Sequence, residues 1–308
     1  MLRAALALIS GLWALASAAA GEPVAVIVYP PQPPPLFATC ATPGSFSATP
    51  PRVRRGAARS LAPGVTAQDV TFASDTGSTV KGELIAGDAP GPRPGVLFVH
   101  WLGDAKTTNH TEFESDATAL AKHGAVSLLV DAMWSDPKWF DSVGKSERAD
   151  LEVTVHQLLN LRIALDVLAA QPGVDPARIA YVGHDFGAMM GPFVACADAR
   201  PSWYVLMAGV PTLSEWYLLG KPAPEDYVQD LDKAANPALN LSRARLKGVI
   251  FQFATRDHYI AADRALAFIA AAPTPKGVFW YDADHSLAVP AAFDDRQAWL
   301  VEKLFEER

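Results

Sequence analysis

The chain has 308 residues, half of them hydrophobic, and a formal net charge of −7. This length allows one large domain or two small ones, and the acidic balance argues against nucleic acid and anionic membrane surfaces as partners. The two cysteines, Cys40 and Cys196, are too few for a disulfide framework. Cys196 falls in a segment that we expect to be a buried helix, where it would pack as an inert free thiol.

The first twenty residues have the layout of a secretory signal peptide. Arg3 supplies the positive charge, an apolar stretch runs from Leu6 to Leu15, and Ala16-Ser17-Ala18 offers a small-residue cleavage site. An uncleaved membrane anchor is the alternative, although the apolar run is short for spanning a bilayer. We expect an exported protein, periplasmic or extracellular, with no integral membrane segment after cleavage of the signal.

Residues 21–63 are dense in proline, including Pro33-Pro34-Pro35. Proline lacks the backbone N–H that helices and sheet ladders need, so this segment is predicted to be an extended arm or linker. The folded domain is therefore expected to span residues 64–308.

The domain alternates strand and helix patterns. Val70–Phe72 and Thr79–Ile85 predict two antiparallel strands around a turn. Continuous apolar runs then indicate strands buried on both faces of a parallel sheet: Gly95–Val99, Ala125–Val130, Ile179–Val182, Tyr204–Met207, Val249–Phe253 and Val278–Tyr281. Helical spacing appears at Glu112–His123, Leu151–Ala170 and Ala291–Phe305. The prediction is an α/β fold, with a mostly parallel central sheet flanked by helices.

One strand leads directly into Gly183-His184-Asp185-Phe186-Gly187 and then into a helix. This order predicts a nucleophile elbow, a tight turn that projects its central side chain to the carboxyl edge of the sheet and needs small flanking residues. The alternative is an ordinary strand-to-helix turn in which Asp185 is the helix N-cap.

From Val70 to the C-terminus the chain resembles α/β-hydrolases with a small cap or none, and it is most similar to the dienelactone hydrolase family. The segment from Leu158 to Gly183 resembles the approach to that family's elbow, but the family has cysteine, and its esterase relatives serine, where this chain has Asp185. An aspartate between a histidine and an aromatic residue instead resembles epoxide hydrolases and haloalkane dehalogenases. The loop after Val99 lacks the His-Gly-x-Pro form of epoxide hydrolases.

The resemblance implies a triad ordered nucleophile, acid, histidine along the chain, with the last two on loops after late strands. Asp257 and His285 occupy such positions. Glu215 is the second candidate for the acid. Asp284 is adjacent to His285 in the sequence and is therefore poorly placed to orient its imidazole.

An oxyanion hole needs backbone N–H groups. The candidates are Phe186 and, in the loop after Val99, Trp101 or Leu102. Trp101, His184 and Phe186 are expected to contact a small-molecule substrate. No metal or other cofactor is expected, because the sequence lacks nucleotide-binding glycine motifs and the histidines show no metal-ligand spacing (His100, His110, His123, His156 and His184).

The chemistry depends on what Asp185 does. An aspartate, with an ordinary pKa near ~3.9, is anionic at neutral pH and can attack a saturated carbon without a base. His285, held by Asp257, would then activate water to hydrolyse the alkyl ester. The sequence predicts a hydrolase of a small ester, lactone, epoxide or halide. Two alternatives remain: Asp185 as a base on water, and a non-catalytic homologue that binds a ligand in the cleft.

Overall fold

A computed structural model describes residues 40, 51–104 and 108–306. The predicted signal peptide and most of the predicted arm lie outside these residues. The described part forms one nine-stranded sheet in the order β1-β2-β3-β5-β4-β6-β7-β8-β9. The strands are β1 (Arg54–Ala62), β2 (Val65–Ala73), β3 (Thr79–Gly87), β4 (Arg93–Val99), β5 (Val126–Val130), β6 (Val174–His184), β7 (Pro201–Met207), β8 (Gly248–Ala254) and β9 (Lys276–Tyr281).

Helices cover the two faces of the sheet and connect its parallel strands. They are α1 (Glu114–Lys122), α2 (Trp139–Ser142), α3 (Glu147–Ala169), α4 (Phe186–Ala197), α5 (Leu213–Leu218), α6 (Tyr227–Ala234), α7 (Pro237–Arg243), α8 (Ala262–Ala271) and α9 (Pro290–Val301). Short 3-10 turns lie at His110–Phe113 and Met133–Ser135, and a π turn at Glu302–Glu306 follows α9. The short helices α5 to α7 fill the segment between β7 and β8, so any cap is small.

The sheet has an antiparallel half and a parallel half. Strands β1, β2, β3 and β5 pair antiparallel, whereas β5, β4, β6, β7, β8 and β9 run parallel. The strands β4, β5, β7 and β8 are buried at almost every position, as their unbroken apolar runs predicted. Strands β5 and β6 lie on opposite sides of β4. The strand order therefore reverses direction at β4, and a reversal of this kind leaves a crevice at the carboxyl ends of the strands.

Strand β1 lies inside the segment expected to be an arm. It pairs with β2 from Arg54 to Ala62, so the sheet begins ten positions before the expected boundary at residue 64. No proline occurs between Pro51 and Pro63, and the backbone N–H groups of this stretch are therefore free to form a ladder. Residues 21–63 are rich in proline as a whole, and for this reason the shorter stretch without proline was not predicted as a strand.

The expectation of an inert free Cys196 is wrong. Cys196, in the last turn of α4, forms a disulfide with Cys40, 156 residues away in sequence. Sequence spacing gave no sign of the pairing, because folding brings the two cysteines together. A disulfide is typical of proteins in oxidising compartments, in agreement with the predicted export. Among the described residues, no helix is long and apolar enough to cross a membrane.

Candidate active site

Asp185 lies in a strained turn between β6 and α4. Its backbone has φ 56° and ψ −114°, a conformation that side-chain-bearing residues rarely adopt and that persists only where the surroundings impose it. Glycine is required at both flanking positions because other backbone atoms approach closely there. A Cβ on Gly183 would lie 2.3 Å from the carbonyl oxygen of Gly187, and one on Gly187 would lie 2.2 Å from that of Val99. The segment therefore has the geometry of a nucleophile elbow.

The two carboxylate oxygens of Asp185 have different environments. Oδ2 accepts a hydrogen bond of 3.0 Å from the backbone N–H of Leu102, whereas Oδ1 is buried without a hydrogen-bond partner. The side chain makes no capping bond to α4, so the N-cap alternative does not describe this aspartate. Burial raises the pKa of Asp185, and the nearby charge of His285 and the Leu102 hydrogen bond offset this only in part.

Asp257 and His285 form a carboxylate–imidazole pair at the same edge of the sheet. His285 Nδ1 lies 2.7 Å from Asp257 Oδ2, and the other oxygen of Asp257 accepts from the N–H groups of Tyr259 and Ile260. Burial opposes ionisation of Asp257, but the hydrogen bond and charge of His285 outweigh it and lower its pKa. Burial also works against a charged His285, yet Asp257 and Asp185 together raise its pKa above the ordinary value.

The loop after β4 presents one N–H to Asp185. That donor is Leu102, while the N–H of Trp101 donates to Glu112 Oε2 at 2.8 Å. Trp101 is therefore engaged elsewhere and is not an oxyanion donor, which corrects one of the two sequence-based candidates in this loop. His100 Nδ1 lies 2.7 Å from the carbonyl oxygen of Trp101, and this bond fixes the peptide plane that also contains the Leu102 N–H.

Comparison with known proteins is informative at the level of structure. No protein-family model matches the chain, and no curated protein matches its sequence. An acetyl xylan esterase from Paenibacillus is 15% identical with a TM-score of 0.66, over 83% of this chain and 90% of that one. An acetyl xylan esterase from Thermoanaerobacterium is 12% identical with a TM-score of 0.62, over 84% and 89%. A putative dienelactone hydrolase from Klebsiella pneumoniae is 15% identical with a TM-score of 0.58, over 79% and 99%.

The chain has the α/β-hydrolase fold. At these identities the likeness establishes the fold, and the chemistry has to be argued from the site. Asp185 lies between β6 and α4, and Asp257 and His285 follow β8 and β9.

The two alternative acids have other partners. Both oxygens of Glu215 accept from Arg264, at 2.8 and 2.5 Å. Asp284 accepts from the N–H and hydroxyl of Ser286. Neither replaces Asp257 as the partner of His285.

Sequence reasoning missed Glu112 and its bond to His184. The expected helix start at Glu112 is a 3-10 turn, and no spacing rule connects this residue to the elbow. Glu112 Oε1 lies 2.6 Å from His184 Nδ1, and His184 Nε2 lies 3.0 Å from the carbonyl oxygen of His285. His184 is fully buried and both its nitrogens are engaged. These bonds hold the ring in place, and its expected contact with a substrate stays a prediction.

Aromatic rings enclose the site. Trp101 stacks on His184 at 5.3 Å between ring centroids, and Trp216 and Tyr259 pack edge-on against His285 at 5.4 and 5.1 Å. Asp185 is 3% exposed and His285 5%, whereas Tyr259 is 58% exposed. Tyr259 is therefore the part of this wall that faces solvent.

Phe186 begins α4 and packs within an aromatic cluster formed by Trp134, Trp139, Trp216 and Tyr217. Its ring is 2% exposed, so a substrate would meet it only inside the closed site. Across residues 40, 51–104 and 108–306, no group of three His, Cys, Asp or Glu side chains could hold a metal ion. His110 pairs with Asp131, and His156 with Asp75.

Proposed function

We propose that the chain is a hydrolase in which Asp185 is the covalent nucleophile, His285 the base that activates water, and Asp257 the acid that orients His285. The observation that carries the proposal is the difference between the two oxygens of Asp185. Oδ2 is held by the Leu102 N–H, while Oδ1 is buried and unpartnered. One oxygen is thus fixed, and the other retains its lone pairs for attack.

In the first step, Oδ1 attacks a saturated carbon of the substrate. A carbon–oxygen bond forms, and the bond to the leaving group breaks with its electron pair leaving on that group. The product is an alkyl ester of Asp185. A carboxylate needs no base for this step. Attack on an ordinary ester would instead give a mixed anhydride, a high-energy intermediate, so the chemistry of an aspartate nucleophile favours alkyl transfer.

In the second step, His285 takes a proton from water, and the hydroxide attacks the Asp185 carbonyl carbon. Negative charge develops on Oδ2, where the Leu102 N–H already lies, and Phe186 N–H is the second candidate donor. The tetrahedral intermediate then expels the alkoxide that contains Oδ1, which takes the proton from His285. The substrate leaves as an alcohol, the water oxygen remains in the Asp185 carboxyl group, and this group releases the second water proton to solvent to become a carboxylate again.

The surroundings support a small apolar substrate with a leaving group that accepts hydrogen bonds. Trp139 and Trp216 contact Phe186 from two directions, and the indole Nε1 of each is buried without a partner. Buried donors of this kind cost free energy unless a ligand satisfies them. An organic halide or an epoxide would bring such an acceptor. The hydroxyls of Tyr217 and Tyr227 are bonded to Thr154 and Asp150, which favours a leaving group that departs as an anion without protonation.

A second candidate is hydrolysis of an ester or lactone with Asp185 as a base on water. Two observations favour it: the similar structures named as esterases and the raised pKa of Asp185, which makes its carboxylate a stronger base than usual.

The test is turnover of a panel of haloalkanes, epoxides, lactones and aryl esters in oxygen-18 water, followed by mass spectrometry of the peptide containing Asp185. We expect label in that peptide, and we expect His285→Gln to retain the mass of the alkyl group because ester hydrolysis stalls. Asp185→Asn should form no adduct. Turnover with neither label nor adduct would establish the base mechanism. Lack of turnover across the panel would favour a non-catalytic homologue.

A further inference from the structure

Glu112 and His184 connect three segments of the active site. Glu112 accepts from the N–H of Trp101, in the loop that presents Leu102. His184, the residue before Asp185, bonds to Glu112 through Nδ1 and to the backbone carbonyl of His285 through Nε2. The pair therefore links the oxyanion loop, the elbow and the loop of the proposed base.

The hydrogen-bonding partners fix where the protons lie. A carbonyl oxygen can only accept, so His184 Nε2 carries a proton and donates to the carbonyl of His285. Nδ1 faces a carboxylate oxygen at 2.6 Å, and two lone pairs at that distance would repel. One proton must therefore lie between Nδ1 and Glu112 Oε1. Every polar atom of the pair is then used, in a place where His184 is fully buried.

We infer that the Glu112–His184 pair positions the two groups that the second step needs, the Leu102 N–H and the His285 imidazole, relative to Asp185. This inference rests on the proposed function. In this inference both residues act by holding other groups in position, and not by contacting the substrate.

The argument for the oxyanion loop follows from peptide geometry. In a trans peptide the C=O and N–H point in opposite directions, so the Trp101 carbonyl and the Leu102 N–H rotate together. His100 holds that carbonyl, and Glu112 holds the N–H of the preceding peptide. Without Glu112, the Trp101 N–H loses its acceptor and one of the two restraints on the loop disappears. The Leu102 N–H would then move off Asp185 Oδ2.

Substitutions of Glu112 can distinguish the effect of its hydrogen bonds from the effect of its negative charge. In Glu112→Gln, the amide oxygen can accept from Trp101 while the amide N–H donates to an unprotonated His184 Nδ1, with Nε2–H still bonded to the His285 carbonyl. Glu112→Leu removes both bonds. In His184→Asn, the side-chain amide can still donate to Glu112 but is too short to reach the carbonyl of His285. Asp116→Asn is the matched control, since Asp116 is a buried acid four positions along that pairs with Arg296 and makes no contact with the loop.

The first experiment measures hydrogen exchange of the Leu102 amide by NMR in the full chain, and it needs no substrate. We expect Glu112→Leu to exchange at least about tenfold faster than wild type, from loss of a backbone hydrogen bond. Glu112→Gln, His184→Asn and Asp116→Asn should stay close to wild type. Unchanged protection in Glu112→Leu, or equal loss in Asp116→Asn, overturns the inference. If Glu112→Leu does not fold, Glu112→Ala replaces it with the same expectations.

The second experiment uses any substrate that forms the Asp185 adduct and measures the two steps separately. Glu112→Leu and His184→Asn should slow hydrolysis of the adduct by about tenfold or more, with a smaller effect on its formation. Equal slowing of both steps would contradict the inference. Because amide exchange is independent of turnover, absence of an adduct would bear on the proposed function alone.

Discussion

The backbone N–H of Leu102 lies 3.0 Å from Asp185 Oδ2, and this contact leaves Oδ1 as a buried oxygen with no partner. Among the described residues, Asp185 Oδ1 is one of several buried polar atoms without a hydrogen-bond partner, and it belongs to the strained turn between β6 and α4. Buried orphan oxygens are uncommon in folded proteins because they cost free energy. In the proposed mechanism this unpartnered oxygen is the nucleophile, and its burial has measurable consequences.

Replacing Asp185 with Asn should stabilise the folded protein at neutral pH. Because its pKa is higher in the folded state than in the unfolded chain, ionised Asp185 costs folding free energy above the unfolded pKa of about 3.9. We expect a gain of about 1–3 kcal/mol, because Asn removes the buried charge while its amide oxygen can still accept from the Leu102 N–H. The gain should shrink as the pH falls from neutral towards the unfolded pKa of about 3.9, because folded wild-type Asp185 takes up its proton above that value. Thermal unfolding across this range measures it.

Asp150→Asn is the control for that substitution. Asp150 is also buried with a raised pKa, but its Oδ2 accepts from Tyr227 and Gly144. Removing a bonded carboxylate oxygen should destabilise the protein. A gain in both variants would show that the effect is not specific to the unpartnered Asp185 oxygen.

The same substitution should lower the pKa of His285. Asp257 and the charge of Asp185 hold this pKa above its usual value against the effect of burial, and Asn removes one of these two negative charges. NMR titration of the His285 ring in wild type and Asp185→Asn tests this. An unchanged pKa would mean that the two side chains are not coupled. In the proposed mechanism, alkylation of Asp185 also removes its charge, so His285 would release its proton more readily once the ester has formed.

The sequence predicted the fold, and it pointed to Asp185, Asp257 and His285 as candidates for the site, because each inference rests on a local pattern: an apolar run followed by a loop, or paired glycines around one residue. It did not predict β1, whose apolar content is low and whose residues are mostly exposed. It also did not predict the Cys40–Cys196 disulfide or the Glu112–His184 pair. These depend on contacts between distant segments, which no periodicity encodes.

Adding a methyl group at either elbow glycine should destabilise the protein strongly. A Cβ on Gly183 or Gly187 would lie within 2.3 Å of a backbone carbonyl oxygen, and backbone cannot move aside as a flexible side chain can. We expect Gly183→Ala and Gly187→Ala each to cost about 3 kcal/mol or more, at the upper end for overpacking. Gly56→Ala on β1 is the control, with 3.3 Å to its nearest neighbour, the Cβ of Asp69. Denaturant unfolding of the three variants measures the difference, and equal losses would contradict the requirement for close approach at the elbow.

Strand β1 should be needed for a stable domain, although it lies in the segment predicted from the sequence to be an arm or linker. Arg59 on β1 bonds to Glu83 Oε1 at 2.6 Å. Glu83 is 1% exposed, and burial raises its pKa while Arg59 lowers it in part. Removing β1 takes away this guanidinium and exposes the backbone edge of β2 to solvent. Two truncated proteins, one starting at residue 51 and one at residue 64, separate β1 from the rest of the arm.

Cys196→Ser in both truncated proteins removes any effect of the disulfide. We expect the protein starting at residue 64 to be less stable than the one starting at residue 51 by about 1–3 kcal/mol, the scale for leaving a buried acceptor without its donor. Its deficit should diminish as the pH falls, because a protonated Glu83 no longer needs Arg59. Arg59→Ala in the longer protein isolates the ion pair and should reproduce part of the loss. Equal stability of the two truncated proteins would show that β1 adds nothing to the fold and that the domain does begin near residue 64.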